Sequence, residues 1–186
     1  MATKQEQIDF VRRVYPAAQR MYAKNPEEAL SPLFVTAQAA LETGWRIKGI
    51  DNNIFGITKG KSWTGKTKLV LTTEYFSSPN VKFVEPERII SITQVGDKYK
   101  YSVYRLFRAY DSLEDCLEDQ LKLLKSSGYK DAWPYRDDPV EFAKRIVDDT
   151  GAKYATATNY AAIMASVIQM VDRIVQQESI GMELAS

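Results

Sequence analysis

Histidine is absent from this chain of 186 residues, and cysteine occurs once. Without histidine, neither a Ser-His-Asp nor a Cys-His triad can be built, and neither can a His-based zinc site. Cys116 has no partner for a disulfide within the chain. Long apolar runs are missing too, since none approaches the roughly 20 residues of a membrane span. There is also no excess of either charge: 25 Lys and Arg against 24 Asp and Glu leave a formal net charge of +1. That gives no general argument for nucleic acid or an anionic membrane as partner. The first ten residues, Met-Ala-Thr-Lys-Gln-Glu-Gln-Ile-Asp-Phe, put acids and amides where a secretory signal needs an apolar core, so no signal peptide is expected. With 45% apolar and 26% charged residues the composition is that of a globular domain. Its acid–base chemistry, if it has any, falls to carboxylates, Lys or Tyr.

Periodicity orders the chain as helix, strand, helix. Ile8, Phe10, Val11 and Val14 have helical spacing, and Pro16 is expected to kink that helix or start a new one. Ser31 as N-cap and Pro32 at the first position announce a second helix, with Phe34, Ala37, Ala40 and Leu41 on its buried face and Gly44 at its end. From about Thr67 the period becomes two. Leu69, Leu71, Thr73 and Tyr75 point one way, and Val70, Thr72, Glu74 and Phe76 the other. Two further strands, Arg88 to Val95 and Lys98 to Arg108, flank Gly96-Asp97, a type II′ hairpin signal, and residues 77 to 87 form a loop. Helical spacing returns at Leu113, Cys116, Leu117, Leu121 and Leu124, which makes Cys116 a core residue. Asp138-Pro139 and Asn159 open two more helices, and a tail over about 178–186 is expected to fray. The reading is α+β: a mainly helical body with a small antiparallel β-lobe inserted at about 60–108, in one domain covering 1–186.

Two carboxylates stand out from the charged runs. Glu42 follows an uncharged stretch, Ala37 to Leu41, and precedes Thr43-Gly44-Trp45. A Glu in the last helical turn opposes the helix dipole, so its place is locally unfavourable. Partial burial beside Trp45 would favour its neutral form and suit a general acid, while the plain alternative is an exposed helix-end Glu. Glu74 sits in the strand Thr72 to Phe76, where the plain alternative is a solvent-facing residue. Two carboxylates in unlike environments flanking one cleft are what glycoside hydrolysis uses. The stretch Asp51 to Ile57 reads as a tight turn whose Asn residues and amides could hold sugar hydroxyls or an acetamido group, or could be purely structural. Trp63, Tyr75, Tyr104, Tyr110, Tyr154 and Tyr160 could floor a sugar groove or fill the core.

Taken together these segments resemble one family. Phe34-Val35-Thr36-Ala37-Gln38-Ala39-Ala40-Leu41-Glu42-Thr43-Gly44-Trp45, followed by Asn53-Ile54-Phe55-Gly56-Ile57, is similar to the signature of glycoside hydrolase family 73. This is the endo-β-N-acetylglucosaminidase domain of bacterial and phage peptidoglycan hydrolases, including the flagellar one. Trp63, Thr72 to Tyr75, Phe107 to Ser112, Tyr154-Ala155-Thr156 and Asn159-Tyr160-Ala161 extend the resemblance over about residues 5 to 175. It implies a lysozyme-like fold and cleavage of the β-1,4 bond between N-acetylglucosamine and N-acetylmuramic acid. It implies Glu42 as general acid, Glu74 as the second acidic residue and Tyr160 as a tyrosine of the cleft. Trp45, Asn53, Phe55, Trp63 and Tyr154 become substrate-binding residues, with no metal and no cofactor. The implied partner is the peptidoglycan glycan strand, with neither nucleic acid nor membrane, and the chain is expected to be a monomer. Action would be on the cell wall, in the periplasm or outside the cell, by an export route that needs no signal peptide. Two features depart from the family pattern. Arg46 stands where the family usually has Gly after the Trp, and residues 77 to 100 read as a longer hairpin.

Overall fold

The computed structural model of the protein describes residues 1–47, 49–126, 130–149 and 159–181. Its contacts divide the chain into two compact units, Met1–Lys48 with Ser112–Ser186, and Gly49–Asp111.

The first unit is helical. Helix α1 (Lys4–Lys24) starts with a capping box, in which the Thr3 hydroxyl accepts from the Glu6 amide at 3.1 Å and the Glu6 carboxylate accepts from the Thr3 amide at 2.7 Å. Ile8, Phe10, Val11, Val14, Ala17, Ala18 and Met21 form its buried stripe. The stripe runs straight through Pro16, so the expected interruption does not end the helix. Pro16 removes the donor for the carbonyl of exposed Arg12, which water can serve, and burial on both sides of the proline offsets its cost of ~3 kcal/mol. Helix α2 (Pro32–Thr43) is buried at every position from Phe34 to Ala40. Ser31 holds the N-cap position as expected, but its hydroxyl makes no capping bond, and its amide donates to the Arg136 carbonyl at 3.4 Å instead.

Helices α3 (Leu113–Ser126), α4 (Pro139–Asp149) and α5 (Tyr160–Gln177) surround α1 and α2. Ser112 caps α3 through Asp115, and Asp138 caps α4 through Glu141, each at 3.1 Å. Phe34 and Phe142 meet edge to face at 4.9 Å. Cys116 is fully buried, as the stripe on α3 predicts. The pattern gave no sign of the short 3-10 turn Trp133–Tyr135, where Trp133 packs under Lys125 and Arg136. The tail does not fray at once after α5: Ile180 is buried and Glu178 pairs with Arg12 at 2.9 Å. Among the described residues no helix is long and apolar enough to cross a membrane.

The second unit is a three-stranded antiparallel sheet in the order β1 (Thr67–Phe76), β3 (Lys98–Arg108), β2 (Arg88–Val95). The strands have the bounds read from sequence; β1 alternates in burial along its second half, and β2 is exposed along its length. Gly96 has φ 63° while Asp97 does not have a positive φ, as a type II′ turn requires. Residue pairs Leu71↔Tyr104 and Glu74↔Tyr101 fix the register of β1 on β3, and a bulge between Ile89 and Ser91 breaks the ladder on the β2 side. Tyr101 and Val103 form the buried centre of one face. The loop before β2 folds over that face: the Tyr101 hydroxyl donates to the Ser78 carbonyl at 2.7 Å and accepts from the Val81 amide at 3.1 Å, with the Phe76 and Phe83 rings on the same tyrosine. The β-unit begins at Gly49 rather than at about residue 60, because the Asn53 turn is bonded to the end of β3.

Candidate active site

Glu42 lies where α2 leaves the interior. The seven residues from Phe34 to Ala40 are buried, whereas Leu41 and Glu42 are exposed. The burial beside Trp45 considered from sequence is therefore not what the structure shows. The helix end around Glu42 is fixed by three hydrogen bonds. The Thr43 hydroxyl donates to the Ala39 carbonyl at 2.7 Å, and the amides of Gly44 and Trp45 both reach the Ala40 carbonyl. Gly44 takes φ 62°, the left-handed conformation that closes a helix. Trp45 takes φ 64°, which for a bulky residue costs roughly 1–2 kcal/mol. Its ring is held edge to face on Phe10 of α1 at 6.0 Å. That packing offsets the backbone strain and turns the indole toward α1. Tyr160, the first residue of α5, is buried in the same helical unit as Glu42. Tyr154 lies outside the described residues.

The turn of the β-unit is built on Asn53. Its side chain is buried, and the amide Nδ2 donates to the carbonyls of Ile57 and Arg108, both at 2.8 Å, while Oδ1 accepts from the Ile57 amide at 3.0 Å. Both amide hydrogens are thus spent inside the protein, which makes Asn53 the residue that shapes the turn. Asn52 adds a bond to the Tyr110 carbonyl at 2.9 Å, and Gly56 takes φ 62°. Phe55, half-buried, is carried on this turn. Trp63 is wedged. Its indole N–H donates to the Lys66 carbonyl at 2.8 Å, Tyr110 meets its ring at 5.6 Å, and the Arg108 guanidinium lies 5.0 Å over it. A Cβ on Gly65 would lie 2.5 Å from Trp63 Cζ2, so only glycine allows the ring this close.

Glu74 is half-buried on the covered face of the sheet. It is ion-paired with Arg105 of β3, whose Nε also donates to Glu87 at 2.7 Å, and Glu87 takes the Leu106 amide at 2.9 Å. Burial pulls the Arg105 pKa down, but the Glu87 and Glu74 carboxylates outweigh it and the net shift is upward. Its guanidinium lies 5.0 Å from the Phe83 ring centre. Arg105 escapes a search for acids flanking a cleft because it is itself a cation, and Glu87 because it lies in the loop before β2. The alternation on β3, which puts Tyr101, Val103 and Arg105 on one face, is the signal that finds Arg105. Glu42 and Tyr160 belong to the helical unit, and Asn53, Phe55, Trp63 and Glu74 to the β-unit. No cluster of metal-ligating side chains occurs among the described residues.

The chain resembles known proteins along most of its length. It is 28% identical over 171 residues to the peptidoglycan hydrolase FlgJ of Pseudomonas aeruginosa, covering 88% of this chain and 36% of that protein. With FlgJ of Vibrio parahaemolyticus the identity is 29% over 160 residues, 81% of this chain and 44% of that one. The chain therefore spans about two fifths of the length of the curated relatives it matches. Among solved structures, the glycoside hydrolase domain of Salmonella typhimurium FlgJ superposes with a TM-score of 0.66 at 24% identity, covering 93% of this chain and 92% of that one, a likeness of fold. A peptidoglycan hydrolase mutant from Sphingomonas sp. A1 superposes with a TM-score of 0.56 at 28% identity, covering 91% and 99%. The family profile described as mannosyl-glycoprotein endo-beta-N-acetylglucosaminidase matches residues 16–173, and the chain belongs to that glucosaminidase family.

Proposed function

We propose that this chain is a peptidoglycan hydrolase that cleaves the β-1,4 bond between N-acetylglucosamine and N-acetylmuramic acid, with Glu42 as general acid. The observation that carries the reading is the setting of Glu42. It is a carboxylate at the open mouth of a helix buried from Phe34 to Ala40, with the helix end fixed by Thr43, Gly44 and Trp45. A rigid support is what a proton donor needs if it is to stay aimed at a leaving oxygen. A sugar ring laid over Glu42 displaces water from the carboxyl and favours its neutral, proton-donating form.

Glu74 is given a different part. A carboxylate ion-paired with Arg105 is held in one place, where it steadies the positive charge of an oxocarbenium-like transition state or serves as base for a water. The substrate's own acetamido oxygen then remains available as nucleophile. Asn53 positions the turn that carries Phe55, while Trp63, wedged by Gly65, and Trp45 offer ring edges to the glycan. Tyr160 hydrogen-bonds near the reacting centre, and Tyr154 is a further substrate-binding residue. Action is on the cell wall, and the protein works as a monomer without metal or cofactor.

The test is digestion of purified sacculi by the wild type and by E42Q, with mass spectrometry of the fragments. N-acetylglucosamine at the new reducing ends and at least a ~10²-fold loss in E42Q are expected, the low end of general-acid effects. Muramic acid at the reducing end, or a 1,6-anhydro ring, would assign the neighbouring linkage or a lytic transglycosylase. Retention of sacculi without release of reducing sugar would make the chain a binding module.

A further inference from the structure

A groove on the helical unit, next in sequence to Glu42, shares only Trp45 with this mechanism. Glu6, Asp9, Phe10 and Arg13 recur at i, i+3, i+4 and i+7, one face of α1, and Trp45, Arg46 and Ile47 lie across it. The space they enclose is about 270 Å³. That is just below the ~300 Å³ at which pockets for drug-sized ligands begin, so it takes one or two amino-acid side chains and not a disaccharide. The floor is Phe10 and Trp45 with rings at 74° to each other, an edge and not the flat platform a sugar face needs.

The walls are ionic and of both signs. Glu6 is held ionised, its carboxyl kept below the usual range first by the Thr3 amide and then by Arg46. Arg46 reaches Glu6 only at 3.8 Å, with both side chains 43% exposed, so most of its donors stay open. Arg13 has no hydrogen-bond or ion-pair partner among the described residues. Asp9 accepts one bond, from Gln5 at 2.9 Å. Two guanidiniums with open donors and two carboxylates around a small apolar floor complement a ligand that carries both a carboxylate and an ammonium on a short aliphatic frame.

We propose that this groove binds the peptide stem of the wall polymer, with a stem carboxylate on Arg13 and Arg46 and a stem ammonium on Asp9 and Glu6. The proposal rests on the reading of the substrate as peptidoglycan. It makes the chain a reader of the peptide as well as of the sugar, with Arg46 a specificity residue four positions from Glu42.

The test compares soluble peptidoglycan oligomers that bear stems with the same oligomers stripped of stems by an amidase. The wild type should prefer the stem-bearing oligomer. In R13E/R46E the ratio of kcat/KM between the two oligomers should fall about tenfold, carried by KM, and R13K/R46K should recover part of it. An unchanged ratio in R13E/R46E, or no preference in the wild type, overturns the proposal. Isothermal titration of the wild type with a free stem tripeptide that keeps its carboxylate and side-chain ammonium reads the groove without catalysis. Binding in the millimolar range that is lost in R13E/R46E supports it, and no binding by the wild type overturns it. Failure of the wild type to cut either oligomer would instead count against the hydrolase reading, so the two failures are distinct.

Discussion

Replacing Asn53 tests whether its amide shapes the turn or waits for sugar. In N53A, the Ile57 amide loses its acceptor and the Arg108 carbonyl loses a donor, while the Ile57 carbonyl keeps the Arg108 amide at 3.0 Å. Two orphaned backbone groups at ~1–3 kcal/mol each, eased where water can enter, give a loss of about 2–4 kcal/mol. For a chain of this size each kcal/mol lowers Tm by roughly 2–4 °C, so a fall of about 5–15 °C is expected by calorimetry. N53D is the sharper probe because it keeps the shape and the acceptor. The new carboxylate oxygen would face the carbonyls of Ile57 and Arg108, which repel its charged form, so its folded-state pKa lies above the unfolded value of ~3.9. The penalty is then full above the folded pKa, shrinks as pH falls through it, and is gone below the unfolded value. Measured against the wild type, N53D should therefore lose stability as pH rises from about 4. A Tm within 1 °C of the wild type for N53A, with a loss confined to activity, would refute the structural role and return the residue to sugar binding.

Other substitutions read other parts of the β-unit. R105A leaves Glu74 and Glu87, both at most a quarter exposed, without their cation, and should cost about 1–3 kcal/mol in denaturant unfolding, while R105K restores part of it. An R105A protein as stable as the wild type would show that the two carboxylates are solvated well enough without it. G65A forces Trp63 off its present position, since the added methyl would overlap Cζ2. A changed indole fluorescence maximum and a loss of about 1–3 kcal/mol are expected, and an unchanged spectrum would mean the ring has room to spare.

β1 and the later helices were legible because their burial is one-sided, and one-sided burial writes a period into the sequence, whereas β2, exposed along its length, was marked by the Gly96-Asp97 turn that follows it. Helix α2 was legible for a different reason: Ser31-Pro32 and Gly44 bracket it, although burial all round erases its stripe. Pro16 does not start a new helix, because proline marks a local cost, and the packing of Ala17, Ala18 and Met21 against the rest of the body is not a local quantity. The burial state of Glu42 was not legible either. One residue decides whether a side chain at a helix exit faces protein or water, and sequence spacing does not resolve a single residue. Asn53 was found as a residue, but its reading stayed open between sugar ligand and structural turn, because one of the two carbonyls that take its amide hydrogens lies 55 positions along the chain, at Arg108. Arg105 was missed for the same kind of reason, since its partners come from two other segments brought together only by the sheet.

On the proposal that Glu42 is the general acid, the absence of histidine gives its exposure a kinetic consequence. A histidine could deliver a proton near neutral pH with little help, whereas a carboxylic acid in water gives its proton up well below that range. If the displacement of water by bound sugar is what readies Glu42, then activation depends on how much of the helix mouth the substrate covers. Sugar rings beyond the scissile bond would then raise kcat, because they improve the donor and not only the grip. A series of glycan oligomers of increasing length measures this directly. kcat should climb with length until the mouth is covered and then level off, and the acid limb of the pH profile should stay where it is while the alkaline limb moves up. If added rings lower KM and leave kcat and the alkaline limb unchanged, they contribute uniform binding alone, and the activation of Glu42 must come from the protein.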